Sequence, residues 1–211
     1  MRVCAHSMDQ KYWCELCYDD EVAGWKSKPW LCIDTETTGT DPHTARIVQF
    51  GAVKMHNGRI LQGWPKRQRL NPGIAIPEGA SRVHGITDEM VADKPRFSDI
   101  ASQIAVLFDE ETIVVGYNLL AFDWPILCLA FVEAGMDAPT VGALIDPLVH
   151  IRRHSIGKYW KGSGRHRLGN VAQRYDIKLP KGWSEHSADA DAWLAGRVLW
   201  GIRDRLSGNQ E

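Results

Sequence analysis

The sequence has no long apolar run and no excess of charge of one sign. Nowhere among its 211 residues do about 18 apolar residues follow one another, which excludes a transmembrane helix of ordinary length. Charged residues are spread between positions 9 and 21, where a secretory signal would need an apolar stretch. We therefore expect a cytoplasmic protein without a membrane partner.

Net charge offers no affinity for nucleic acid, because 25 lysines and arginines stand against 26 aspartates and glutamates. Any such affinity has to come from where the basic residues lie. A composition of 44% hydrophobic and 24% charged residues is near the average of globular domains and excludes the disordered and collagen-like classes. The length suits one α/β domain with a small appendage.

Cysteine is scarce, and its five copies do not form the even set that a disulfide framework needs. Cys4, His6, Cys14 and Cys17 lie close together near the N-terminus. Three thiolates and an imidazole can bind a tetrahedral zinc ion, so residues 1–26 are a candidate zinc knuckle with one structural Zn²⁺. The first pair is spaced more tightly than is usual, and a leader with reduced thiols is the alternative.

Short apolar runs and helical periodicity organise the rest of the chain, residues 30–207, which follows a polar linker. Five strands are predicted at residues 30–33, 46–55, 59–64, 112–115 and 143–145. Four helices are predicted at residues 97–108, 123–134, 168–175 and 189–206. The pair Asn57-Gly58 predicts a tight hairpin turn between the second and third strands.

The order of these elements predicts the fold class. A meander of three strands is followed by alternating strands and helices, which indicates an α/β fold with a mixed five-stranded sheet flanked by helices. Residues 71–85 are rich in proline and glycine and are expected to form a connection.

Acidic residues stand at the ends of predicted elements. Asp34 and Glu36 are two residues apart in a strand, so both side chains point to the same face of the sheet. Asp123 starts a predicted helix, where an aspartate is often only a cap. His186 and Asp191 face one point only if His186 lies in the loop before the last helix and Asp191 one turn inside it.

Taken together, these residues resemble the three motifs of the DEDDh (DnaQ-like) 3′–5′ exonucleases, the family of the proofreading (epsilon) subunit of bacterial DNA polymerase III. The similar segments are Asp34-Thr35-Glu36-Thr37-Thr38-Gly39, Tyr117-Asn118 through Asp123, and His186 with Asp191. Val83-His84-Gly85-Ile86-Thr87 is similar to a segment typical of the proofreading branch. The resemblance covers about residues 30–206 and implies a ribonuclease H-like fold.

The resemblance also implies a reaction, the release of nucleoside 5′-monophosphates from the 3′ ends of DNA in proofreading or repair. Its metal ligands would be Asp34, Glu36, Asp123 and Asp191, holding two Mg²⁺ or Mn²⁺ ions. Such ions, about 3.5–4 Å apart, stabilise the attacking and leaving oxygens of an in-line displacement. His186 would be the general base, because an imidazole can take up a proton near neutral pH.

Electrostatics supports the metal ions independently of the resemblance. Two carboxylates about 4 Å apart repel each other by roughly 4 kcal/mol at an effective dielectric constant of about 20, so converging acids need compensation. Oxygen ligands favour Mg²⁺, with Mn²⁺ as a substitute.

The expected substrate is a nucleic acid with a 3′ end, with single-stranded DNA preferred. Seven lysines and arginines and no acidic residue lie between positions 147 and 175, together with Tyr159 and Trp160. This composition is typical of a single-strand channel, here on a glycine-containing flexible loop, although a solvated basic face is the alternative. The expected substrate contacts are Thr37, Thr38, His84, Asn118, Arg165 and Arg167.

Other functions remain open at this point. An RNA-trimming exonuclease, similar to RNase T or oligoribonuclease, has the same motifs and fold, and contacts to the 2′-hydroxyl are not visible in a sequence. The segment at residues 83–87 favours DNA. A non-hydrolytic nucleic-acid-binding module is less favoured, because no motif residue is missing. Whether the chain works with a DNA polymerase or alone, and as which oligomer, is not indicated.

Overall fold

A computed structural model of the protein describes residues 24–153, 156 and 160–203. The four residues of the predicted zinc site, Cys4, His6, Cys14 and Cys17, lie outside this part of the chain. No helix within it is long and apolar enough to cross a bilayer.

Four strands come before the first α-helix of the described chain, and helices with two further strands follow. The strands are β1 (Trp30–Thr37), β2 (Ile47–His56), β3 (Arg59–Ile60), β4 (Lys66–Arg69), β5 (Ile113–Val115) and β6 (Ala143–Ile145). The helices are α1 (Glu78–His84), α2 (Asp88–Val91), α3 (Phe97–Ala105), α4 (Asp123–Glu133), α5 (Pro147–Arg153), α6 (Leu168–Arg174) and α7 (Ala188–Ile202). A short 3-10 helix, Trp25–Ser27, precedes β1.

The strands form one mixed sheet in the order β3-β2-β1-β5-β6, with β4 also paired to β2. β1 is antiparallel to β2 and parallel to β5, and β5 is parallel to β6. The predicted α/β class with flanking helices is confirmed. In the hairpin between β2 and β3, Asn57 and Gly58 adopt positive φ angles of 50° and 72°, as the predicted turn requires.

The sheet has six strands rather than the predicted five. The missed strand, β4, consists of Lys66, Arg67, Gln68 and Arg69, and most of these side chains are exposed. Its backbone pairs with β2, from Ala52 opposite Lys66 to Gln49 opposite Arg69. Because no apolar side chain alternates along it, hydrophobic periodicity could not reveal it. The third strand, predicted at residues 59–64, is shorter in the structure and ends at Ile60.

Three short helices were also missed. α1 and α2 lie in or beside the segment predicted as a connection, and α5 lies in the segment predicted as a flexible basic loop. α1 buries none of its side chains fully, so it has no apolar stripe to recognise. In α5, Leu148 and Ile151 are buried at a spacing of three, a pattern too short to indicate a helix.

The core is divided by the sheet, and β1 contributes to both sides in alternation. Trp30 and Cys32 belong to the cluster that packs against α7. Leu31 and Ile33 belong to the cluster that packs against α3 and α4. β1 continues beyond Ile33 to Thr37, so the same alternation extends through its acidic residues.

β2 and α7 approach each other so closely at Gly51 that no side chain fits between them. A Cβ atom there would lie 2.1 Å from the carbonyl carbon of Ala188 and 2.2 Å from the backbone nitrogen of Asp189. Both are backbone atoms, so the clash could be removed only if the backbone of α7 shifted.

Replacing Gly51 with alanine is therefore expected to lower the free energy of unfolding by about 1–3 kcal/mol, measured by urea denaturation, because overpacking a tight contact forces the backbone to move. Gly39→Ala is the matched control, since a Cβ at Gly39 would have no described heavy atom within 4 Å. An equal loss of stability in both variants would contradict the prediction.

Candidate active site

Three carboxylates gather at the end of β1. One oxygen each of Asp34, Glu36 and Asp191 lies within 4.8 Å of the others. The side chains of Asp34 and Glu36 point to the α7 side of the sheet, because they alternate with residues that face α4. Asp191 is the fourth residue of α7 and therefore comes from the helix that packs on this side.

Asp123 reaches β1 from the other side of the sheet. It is the first residue of α4 and is buried. Its Oδ1 accepts hydrogen bonds from the backbone N–H of Thr35, at 2.9 Å, and from the Thr35 hydroxyl, at 2.7 Å. Its charge still acts on Asp34 across the strand. The four acids predicted from the sequence thus comprise a cluster of three and a neighbour bound to the residue between Asp34 and Glu36.

Burial and mutual repulsion make these acids hard to ionise. Burial, followed by the charges of the three other acids, raises the pKa of Asp34 well above its ordinary value. The same two causes raise the pKa of Glu36 to about 7. Burial raises the pKa of Asp123 to about 7 and that of Asp191 to about 6. The metal-free site therefore carries an unfavourable concentration of charge at neutral pH.

The donor set of this cluster fits a hard divalent cation. All of its ligand atoms are carboxylate oxygens, and they are close enough to reach one ion. A cation there would offset the repulsion that raises the pKa values of the acids.

His186 lies just outside α7, in the position that the sequence spacing requires. It precedes the first helical residue by two positions and has a φ angle of 57°, which is uncommon for a residue with a Cβ atom. Its side chain is 59% exposed, and its Nδ1 lies 4.0 Å from Oδ2 of Asp191. The imidazole is thus open to a substrate and adjacent to the acid cluster.

Hydrogen bonds from two strands hold the beginning of α7 in place. Oε1 of Gln49 on β2 accepts the N–H of Ala188 at 3.0 Å. A guanidinium nitrogen of Arg67 on β4 donates to Oγ of Ser187, at 2.9 Å, and to Oδ1 of Asp189, at 3.4 Å. The missed strand therefore helps to position both His186 and Asp191.

A cleft of about 510 Å³ opens beside His186 and Asp191. Among the residues that line it are two arginines, two aromatic rings and an amide: Arg152, Arg167, Tyr117, His166 and Asn118. The Tyr117 hydroxyl donates to the carbonyl oxygen of His166 at 2.6 Å and so joins the end of β5 to the basic segment. This combination of cations and rings can hold phosphates and bases.

The predicted substrate contacts divide between this cleft and the end of β1. Asn118 and Arg167 line the cleft, whereas Arg165, which the structure also describes, does not. The hydroxyls of Thr37 and Thr38 both form hydrogen bonds in the turn after β1, to Gly39 and from Arg46.

His84 lies close to these groups. Its Nδ1 accepts the N–H of Ile86 at 3.0 Å. Partial burial lowers the pKa of His84, the backbone of Thr37 opposes this effect, and the charge of His186 adds to it. His84 is therefore a neighbour of both the turn after β1 and the imidazole.

Two residues in or beside the site, His166 and Asp146, were not singled out by the sequence, whereas Tyr117 belongs to the second predicted motif and Arg152 to the predicted basic segment. Asp146 directly follows β6 and is buried. The available signal was its position, since the carboxyl ends of parallel strands meet at one edge of a sheet, and Asp34 lies at the same edge.

Comparison with known proteins places the chain in a family. The family described as Exonuclease matches residues 31–199. The epsilon subunit of DNA polymerase III from Buchnera aphidicola is 32% identical over 175 residues, covering 80% of this chain and 70% of that subunit. The PolC-type DNA polymerase III of Lacticaseibacillus paracasei is 26% identical over 187 residues, covering 87% of this chain but only 12% of the polymerase.

Solved structures agree with the sequence comparison. A structure of exonuclease I matches with a TM-score of 0.71 and 23% identity, over 85% of this chain and 42% of that chain. Exonuclease X, in complex with 5′ overhanging duplex DNA, matches with a TM-score of 0.61 and 24% identity, over 86% of this chain and 94% of that chain. These likenesses confirm the expected ribonuclease H-like fold. The chain thus belongs to the exonuclease family, and its resemblance to the DEDDh (DnaQ-like) members is confirmed.

Proposed function

We propose that the protein is a divalent-metal-dependent 3′–5′ exonuclease, which hydrolyses phosphodiester bonds at the 3′ ends of DNA and releases nucleoside 5′-monophosphates in proofreading or repair. The observation that carries the proposal is the cluster of Asp34, Glu36 and Asp191 beside an open imidazole and a basic, aromatic cleft. The exonuclease family membership and the epsilon relative support it.

The four acids and His186 each have a role in this reaction. Asp34, Glu36, Asp123 and Asp191 would hold two Mg²⁺ or Mn²⁺ ions. When bound, such ions supply Lewis-acid stabilisation of the charge that develops on the phosphate. His186 takes a proton from the attacking water, and Asp191, 4.0 Å from its Nδ1, stabilises the imidazolium that results.

The cleft would hold the end of a single strand of DNA. Arg152 and Arg167 neutralise phosphates, the ring of His166 is available for stacking, and Asn118 offers hydrogen bonds to the terminal nucleotide. Structures of Escherichia coli exonuclease I with dT13 oligonucleotides support a single-stranded substrate. The epsilon relative supports a DNA polymerase as the protein partner.

The test is to incubate the protein with 5′-labelled single-stranded DNA, mismatched duplex DNA and RNA of the same sequence. With Mg²⁺ or Mn²⁺, stepwise shortening from the 3′ end with release of deoxynucleoside monophosphates is expected, and chelator should stop it. Faster shortening of RNA than of DNA would overturn the proposed substrate. Binding without shortening of any strand would overturn hydrolysis and favour a binding module.

Replacing Arg167 with alanine is expected to raise the KM for single-stranded DNA by about 10–100-fold, with kcat little changed, because a hydrogen bond to a charged group contributes about 1.5–3 kcal/mol. The slope of log KM against log salt concentration should also fall by about one, because one phosphate contact is lost. Steady-state kinetics at several salt concentrations measure both quantities.

Arg165→Ala is the matched control, because Arg165 carries the same charge two residues away but does not line the cleft. It should change KM far less than Arg167→Ala. Equal effects from the two variants would mean that only the general basic charge of the segment matters.

A further inference from the structure

Asp146 is a buried acid for which the proposed reaction has no role. Its side chain lies at the end of β6, with the residue only 2% exposed. Oδ1 accepts the N–H of Asn118, at 3.0 Å, and that of Leu148, at 2.9 Å. Oδ2 accepts the N–H of Leu120 at 3.3 Å. A carboxylate is costly to bury unless its oxygens are satisfied, and here backbone donors from two segments satisfy them.

These hydrogen bonds fasten the loop at residues 116–122, which connects β5 to α4. Within the loop, Asn118 has a φ angle of 62°, which is uncommon for a residue other than glycine. Its carbonyl oxygen accepts the N–H groups of Ala121 and Phe122, at 3.2 and 3.1 Å, and closes the turn. Asp146 therefore holds the left-handed residue on which the shape of the loop depends.

Both parts of the proposed machinery depend on this loop. Asn118 lines the cleft, and Asp123 follows the last loop residue directly, at the point where its carboxylate meets Thr35. Without the acceptors of Asp146, the N–H groups of Asn118 and Leu120 in the loop, and that of Leu148, would lose these partners, and the turn would be free to adopt a less strained conformation.

We propose that Asp146 is a positioning residue, which fixes the loop at residues 116–122 so that Asn118 faces the cleft and Asp123 stays beside β1. The inference rests on the proposed function, because it assigns to Asp146 a role that is exerted through these two residues.

The test uses Asp146→Asn, which preserves the shape of the side chain. Its single carbonyl oxygen can still serve Asn118 and Leu148, but its amide group would face the N–H of Leu120, donor against donor. Asp109→Asn is the matched control. Oδ1 of Asp109 also accepts a backbone N–H, from Glu111 at 2.9 Å, but in an exposed turn before β5.

Four quantities are measured for each variant: Mn²⁺ affinity by calorimetry, kcat and KM on 5′-labelled oligothymidylate, and the midpoint of thermal unfolding. Asp146→Asn is expected to lose about 10–100-fold in Mn²⁺ affinity or kcat, as groups that orient metal ligands typically do, whereas Asp109→Asn should lose neither. Because the loss of the Asp146 charge also weakens the attraction for a cation, hydrogen exchange of the peptide containing residues 116–122 is measured in the same variant. Faster exchange of this peptide than in the wild-type protein is expected, and weaker Mn²⁺ binding with unchanged exchange would overturn the inference.

Wild-type Mn²⁺ affinity and kcat in a folded Asp146→Asn variant would overturn the inference and leave Asp146 a merely structural role. If the variant does not fold, hydrogen exchange of the wild-type protein tests whether the loop is held in place. The peptide containing residues 116–122 should then exchange as slowly as β5, and fast exchange would overturn the inference. If the wild-type protein binds Mn²⁺ but cleaves no nucleic acid, the proposed function fails, while Mn²⁺ affinity and hydrogen exchange still test Asp146.

Discussion

Replacing Glu36 with glutamine is expected to abolish metal-dependent hydrolysis and, in the same variant, to stabilise the metal-free protein at pH 8. Activity should fall by about 10³-fold or more, because a bound cation contributes several kcal/mol to the stabilisation of the transition state and each 1.36 kcal/mol is a factor of ten. The change in stability has the opposite sign because Glu36 is repelled by Asp191 and Asp123 when no cation is present.

The pH dependence follows from the direction of the pKa shift. The pKa of Glu36 rises from 4.5 to about 7 on folding, first because of burial and then because of repulsion. Between these two values the folded state binds more protons than the unfolded state, so stability falls as the pH rises through this window. Above pH 7 the ionised Glu36 destabilises the metal-free fold by up to roughly 3 kcal/mol, at 1.36 kcal/mol per pKa unit. Glutamine carries no charge and escapes this loss.

Thermal unfolding in chelator at pH 5 and pH 8 measures the effect, together with hydrolysis rates in Mg²⁺. The wild-type midpoint should fall between the two pH values more than that of Glu36→Gln. Glu110→Gln, which removes an exposed acid, should alter neither the midpoint nor the rate. A Glu36→Gln variant that is less stable than the wild-type protein at pH 8, or that still hydrolyses DNA, would contradict the prediction.

Local periodicity was sufficient to predict the strand and the helix that carry Asp34, Glu36 and Asp191. Asp34 and Glu36 share a face because side chains alternate along a strand, and the spacing of His186 and Asp191 places one before α7 and the other within it. These two short-range rules predicted where Asp34, Glu36, His186 and Asp191 lie relative to their strand and helix. The same alternation explains why Asp123 meets β1 from the other side of the sheet. Thr35, which donates a hydrogen bond to Asp123, faces the opposite side from Asp34 and Glu36.

Long-range pairing could not be predicted in the same way. β4 consists of basic and polar residues and is held by its backbone, so its side chains give no sign of a strand. Arg67 stands in a short basic run of the sequence, and only the fold brings it to Ser187 and Asp189. The burial of Asp146 likewise depends on N–H groups that are 26 and 28 residues away in the chain.

The second large effect is expected at His186. Its φ angle of 57° makes asparagine a better replacement than alanine, because asparagine tolerates the left-handed region and carries no basic nitrogen. His186→Asn should lower kcat by about 10²–10⁴-fold, the usual contribution of a general base. Mn²⁺ affinity, measured by calorimetry, should stay close to that of the wild-type protein, since His186 does not belong to the carboxylate cluster. His43→Asn, which changes an exposed histidine in a loop, is the matched control and should leave both quantities unchanged.

Chemical rescue separates a base from a residue that only shapes the site. His186→Gly retains the backbone conformation, because glycine accepts positive φ, and it leaves space beside Asp191 for an imidazole molecule from solution. With the side chain 59% exposed in the wild-type protein, that space is open to solvent. Added imidazole should therefore restore part of the rate of His186→Gly but not of Glu36→Gln, whose defect lies in cation binding. If imidazole restores nothing while His186→Gly still binds Mn²⁺, the proton is taken up by another group, and His186 acts only by position.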